Sequence, residues 1–183
     1  MRSLGVLACV GFLVFGTPAR AEEVSQKEEG QRVDSRYCTV WLSPGVSLDG
    51  VNRRVSVWRI RPRASIRQPQ DSSQQFAVKC DTLFERVEDL LDMYPPGIHV
   101  SVRILPNQEE VGRVHQAHYG HETRAEAIYL FENNTIYASF PDLSEAVFGH
   151  EMAHAIIDHY FNVRPPRKIE EMLAIYAEEN LRE

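Results

Sequence analysis

Positive charge is in short supply in this chain of 183 residues: 20 Lys and Arg stand against 26 Asp and Glu, a formal net charge of -6. An acidic chain repels phosphate backbones and anionic lipid surfaces, which argues against nucleic acid or a charged membrane as partner. Cysteine is scarce, at three residues. One of these, Cys9, lies inside the apolar run near the start, too early for a lipoprotein cysteine, which follows such a run. The chain has no internal repeat. Beyond the first apolar run it has no stretch able to cross a membrane.

That first run follows Arg2, covers residues 4–15 and leads to Ala19-Arg20-Ala21. A positive start, a dozen or so apolar residues and an A-x-A exit predict a secretory signal peptide over residues 1–21, cleaved after Ala21. The run is too short for a comfortable span. The expected location is therefore secreted or periplasmic, with no integral membrane segment after cleavage. Loss of Arg2 and Arg20 takes the net charge from -6 to -8. About 160 residues remain, enough for one domain with a real core. Residues 22–35 are polar and aperiodic and read as a flexible leader, which leaves 36–183 for the domain. In an oxidising compartment Cys38 and Cys80 are expected to form one disulfide, worth roughly 4 kcal/mol in the chain-entropy model.

What is there is concentrated near the C-terminus. His150-Glu151-Met152-Ala153-His154 is an H-E-x-x-H sequence. On a helix, residues four apart share a face, so both imidazoles can meet one ion. Glu151 lies about 100° further round, where it can touch a water on that ion without being a ligand. This is the geometry of a zinc hydrolase, with Glu151 as general base. Leu143, Val147, Ile157 and Phe161 continue the stripe that carries both histidines, and a buried imidazole needs a partner.

Zinc needs a third protein ligand and an open position. His159 points away, about 140° round the helix from His154. Asp158 is on the right face but too far along the axis from His150. A second helix is the better source, and Pro165-Pro166 end one helix and open another. There Glu171-Met172-Leu173-Ala174-Ile175-Tyr176-Ala177-Glu178 resembles the E-G-x-A-x-Y-x-E motif of the gluzincin metallopeptidases, aminopeptidase N type. The resemblance covers the last forty to fifty residues and implies that Glu171 is the third ligand of one Zn2+ per chain. It also implies that Ala174 lets the two helices approach closely. Met172 stands where the family has Gly. Glu170 is the alternative ligand.

The remaining segments are expected to form the scaffold. Residues 37–42 and 51–60 read as a β-hairpin or meander, with Arg53, Arg54, Arg59, Arg61, Arg63 and Arg67 as a basic cluster on it. Residues 73–94 carry a strong helical stripe from Phe76 to Tyr94. A strand is expected over 98–105 and a helix over 107–118 capped by Asn107. His115, His118 and His121 follow at intervals of three. They are candidates for a second metal site, and His118, Tyr119 and His121 for reaching the cleft as oxyanion donors. Residues 125–131 and 135–140 are expected to pair as a hairpin through Asn133-Asn134. The zinc helix starts at a cap, Asp142 or Ser144.

The fold class predicted is α+β: a backing helix and a small, mostly antiparallel sheet packed on a zinc-motif helix followed by a glutamate helix. This resembles the zincin-like N-terminal half of thermolysin-type domains and, with the chain ending at Glu183, the small minigluzincins. The resemblance implies that 135–140 is an edge strand to which a peptide substrate pairs. The function expected is hydrolysis of peptide or protein substrates. The competing class is a catalytically silent binding or adaptor module that keeps the same three ligands.

Overall fold

The computed structural model describes residues 30–60, 63, 69–121 and 123–182. The expected signal peptide and most of the leader lie outside them. Among the described residues are five strands and five α-helices: β1 (Gln31–Asp34), β2 (Cys38–Leu42), α1 (Leu48–Arg54), α2 (Ser72–Leu91), β3 (Val100–Leu105), α3 (Gln108–Tyr119), β4 (Ala127–Leu130), β5 (Thr135–Ser139), α4 (Glu145–Tyr160) and α5 (Arg167–Asn180). The α+β class is as expected. The end of the expected leader is not flexible chain but strand β1.

The strands form one sheet in the order β1-β2-β3-β5-β4. β1 and β4 are antiparallel to their neighbours, whereas β2, β3 and β5 run parallel. The sheet is therefore mixed, a correction to the mostly antiparallel expectation. Helices intervene between β2 and β3 and between β3 and β5, and helical crossovers are what parallel neighbours require. Val33, Val40, Val102, Ile136 and Tyr129 fall in register across all five strands. With Leu42, Ile104 and Ala138 they make the face that packs into the core. α2 and α4 close that core with Phe76, Phe84, Phe148, Met152 and Ile156, all fully buried. Val111 of α3 and Leu130 are buried outside that cluster.

The hairpin expected between residues 37–42 and 51–60 does not form. β2 pairs with β1 and β3, and residues 51–54 belong to α1. Ser47 caps α1 by accepting from the Gly50 N–H at 3.1 Å. Leu48, Val51 and Val55 then fall on one buried face at helical spacing. Gly50 is not a turn residue here; a Cβ on it would lie 2.7 Å from the Phe140 ring. The basic cluster is dispersed accordingly. Arg54 donates to the Pro141 carbonyl and lies over Phe140, Arg59 lies over Trp58, and Arg63 pairs with Glu88 and Asp89. Arg61 and Arg67 lie outside the described residues.

The disulfide expected between Cys38 and Cys80 is also corrected. Both are free and fully buried. Burial drives each thiol well above its ordinary pKa, so both act as small apolar core groups. The edge strand is corrected as well: β5 is interior, paired on both sides, and β4 holds the edge. The expected tight turn between them is a short 3₁₀ turn that ends at Asn134, at φ 50°.

The last two helices are locked together and onto α2. A Cβ on Gly149 would lie 2.7 Å from a Leu181 methyl, and Ala174 and Ala177 are fully buried. Arg86 of α2 donates to the carbonyls of Asn180 at 2.8 Å and Leu181 at 3.3 Å. These carbonyls have no partner within the helix, and the cation also suits the negative end of its dipole. Arg182 pairs with the buried Glu145 at the start of α4. The close approach needs small residues at the contact, and it sets one face of α5 against the histidine face of α4.

Candidate metal centre

α4 begins where Ser144 accepts from the Val147 N–H at 3.2 Å; Asp142, the other candidate cap, instead accepts from the Ser139 hydroxyl at 2.5 Å. Two turns on, His150 and His154 bring their Nε2 atoms to 3.2 Å of one another. Glu171, in the second turn of α5, sets Oε2 at 3.7 Å from His150 Nε2 and 3.8 Å from His154 Nε2. Donors about 2.0–2.1 Å from a tetrahedral ion lie about 3.3 Å apart, so this triangle fits one zinc-sized cation with little adjustment. Among the described residues it is the one group of three or more His, Cys, Asp or Glu that could hold a metal ion.

The same geometry separates the two glutamates. Glu170 is 5 % exposed and accepts from Arg164 through both oxygens at 3.0 Å, a bidentate pair that engages the carboxylate, and it does not join Glu171 in the group with the two histidines. Asp158 is held by the Tyr129 hydroxyl at 2.9 Å and lies 3.5 Å from Arg164, so it is no ligand either. His159 donates from Nδ1 to the Ala155 carbonyl at 2.9 Å, away from the site as expected. Removing Arg164 would strand Glu170 in the interior. Arg164→Ala is expected to lower stability by roughly 1–3 kcal/mol, below the full figure for a buried pair because its side chain is 38 % exposed. Urea denaturation of the metal-free protein measures it.

Two positioning groups were not assigned from the sequence. Glu178 accepts from His150 Nδ1 at 2.9 Å, which fixes that ring and leaves Nε2 free to face the centre. Its seven-residue spacing from Glu171, two helical turns, was the available signal. Glu178→Ala is expected to weaken zinc affinity by about 10- to 100-fold, read by titration against a competing chelator, with the fold retained. The second is Tyr129 of β4, whose backbone N–H faces the Glu151 carboxylate and favours its charged form.

Glu151 is 8 % exposed. Burial raises its pKa to about 8; the Tyr129 N–H opposes this rise, and the charges of Glu171 and Glu178 add to it. Burial, followed by the neighbouring His150, holds His154 well below the usual imidazole range, so it is the neutral ligand form near pH 7.

The centre opens into a cleft of about 710 Å³, lined by β4, the start of α5 and the end of α3. His115, Tyr119 and His121 are on its wall, and His118 is not. The His115 ring packs edge-on against His121, with centroids 4.7 Å apart, and its Nδ1 lies 3.1 Å from the His121 carbonyl. Among the described residues, the three histidines, candidates for a second metal site, do not come together as one. Along β4, Ser139 donates to the Glu126 carbonyl at 2.8 Å, so alternate residues Ala127 and Tyr129 turn their backbone groups away from β5.

The chain matches no protein-family profile, and no curated protein or solved structure is significantly similar to it.

Proposed function

We propose that this protein is a zinc-dependent metallopeptidase with a zincin-like catalytic domain, acting outside the cytoplasm after loss of residues 1–21. The observation that carries the proposal is the convergence of His150, His154 and Glu171 to within 3.8 Å of one another beside a buried Glu151. Two imidazole nitrogens and one carboxylate are a donor set suited to zinc that leaves a fourth position open.

When bound there, the cation supplies Lewis acidity, acidifying a water and polarising a carbonyl. The chain's own groups do the rest. Glu151 takes the proton of the attacking water and passes it to the leaving amine, a task for which a pKa raised towards neutrality is suited. Glu178 keeps the His150 ring oriented. With the Tyr129 N–H turned to Glu151, the outward N–H and carbonyl of Ala127 and the outward carbonyl of Tyr129 pair with an extended peptide as an added strand, which selects a main chain rather than a particular side chain. The cleft volume lies in the range of sites that enclose a ligand of several residues or a drug-sized molecule.

The experiment is hydrolysis of unfolded casein by the purified protein. Cleavage with zinc present, loss with chelator and recovery on zinc return are expected. Zinc bound at one per chain without cleavage of casein or a peptide library would favour the silent binding module.

A further inference from the structure

Helix α5 is apolar on two opposite faces. Ala174 and Ala177 turn inward. About 160° round the helix, Met172 and Ile175 are 57 % and 45 % exposed, flanked by Ile169 and Tyr176. A helix with only one packed face carries polar residues there. Lys168, Met172, Ile175 and Glu179 follow one another at intervals of four, three and four residues. That is the spacing of a seam between two packed helices. The ends of this seam carry opposite charges about 16 Å apart along the axis. The ion pairs of α5 are made by Arg167, Glu170, Glu171 and Glu178, and none by Lys168 or Glu179 among the described residues.

We infer that α5 is the contact of a two-fold dimer in which it packs antiparallel against its own copy. The seam is its own complement. A two-fold axis at its midpoint sets Met172 on the partner's Ile175 and Lys168 on the partner's Glu179, each contact occurring twice. A parallel arrangement would bring Lys168 onto the partner's Lys168 and Glu179 onto the partner's Glu179, so repulsion selects the antiparallel one. Two apolar side chains and one charge pair per copy are few beside the roughly 20–30 residues a side of a standard interface, so a weak dimer with a dissociation constant on the order of micromolar is expected. The dimer does not depend on the bound cation, and so stands or falls separately from the peptidase proposal.

Sedimentation velocity of the purified protein from about 1 to 100 µM tests it. A monomer–dimer equilibrium with a micromolar midpoint is expected. Met172→Glu should abolish association while circular dichroism stays unchanged, since the side chain is half exposed. Lys168→Glu should weaken association by about tenfold or more, and Lys168→Glu combined with Glu179→Lys should restore it. A monomer at every concentration overturns the proposal, as does a dimer indifferent to Met172→Glu. A double charge reversal that fails to restore association overturns the antiparallel register.

Discussion

Glu151→Gln is expected to lower the rate of peptide hydrolysis by roughly a hundred- to ten-thousand-fold while one zinc per chain stays bound. The substitution preserves volume and the acceptor that faces the Tyr129 N–H, and it touches none of the three donors. What it removes is a group able to take a proton. It also removes a buried group whose ionisation the fold opposes. In the metal-free protein the carboxyl has a folded pKa of about 8 against an ordinary value of 4.5. Below pH 4.5 it is protonated in both states and costs nothing. From there to about pH 8 the unfolded state ionises and the folded state resists, so the wild type loses stability that the Gln variant keeps. Metal-free Glu151→Gln should therefore melt above metal-free wild type at pH 7, with the gap closing as the pH falls towards 4.5. A variant that is both more stable and inactive is what a functional carboxylate held in a desolvated place predicts. A Gln variant that cleaves peptides at the wild-type rate would remove Glu151 from the chemistry.

The second large effect separates neighbouring glutamates. Glu171→Ala removes one of three donors and should weaken zinc binding by well over the roughly 100-fold that marks the upper end for a group behind a ligand. Glu170→Ala should leave affinity within a few-fold, because both oxygens of Glu170 are already engaged by Arg164. Its penalty appears in stability instead, since the Arg164 guanidinium loses its bidentate partner. Isothermal titration with zinc and urea denaturation, run on both variants, should thus give opposite rankings. Equal loss of zinc affinity in the two would mean that the glutamates share the ion or exchange at it.

The two candidate histidine ligands were legible because their signal is local. His150 and His154 are one turn apart, so helical periodicity brings them to one face, whereas Glu171, in a second helix opened by two prolines, was singled out over Glu170 by the resemblance of residues 171–178 to the gluzincin motif. Arg164 was not legible: its role depends on where the chain crosses from α4 to α5, which sequence spacing does not specify. Residues 51–54 misled for a different reason. Val55 and Val57 alternate like a strand, while the Ser47 cap and the Leu48–Val51–Val55 stripe carry the helix that forms, and tertiary packing against Phe140 favours the helix. The identity of the edge strand was hidden too. Both β4 and β5 are short and apolar, and only the parallel pairing of β5 with β3 puts it inside. Non-local pairing of this kind leaves a trace only in the nearly continuous burial of β5, which is visible after folding and not before.

The most direct test of the account is diffraction from crystals grown with zinc, measured on both sides of the zinc absorption edge. It should give one anomalous peak per chain, about 2.0–2.1 Å from His150 Nε2, His154 Nε2 and an oxygen of Glu171. No peak between these side chains at full zinc loading, or one held by His115 and His121 instead, would contradict it.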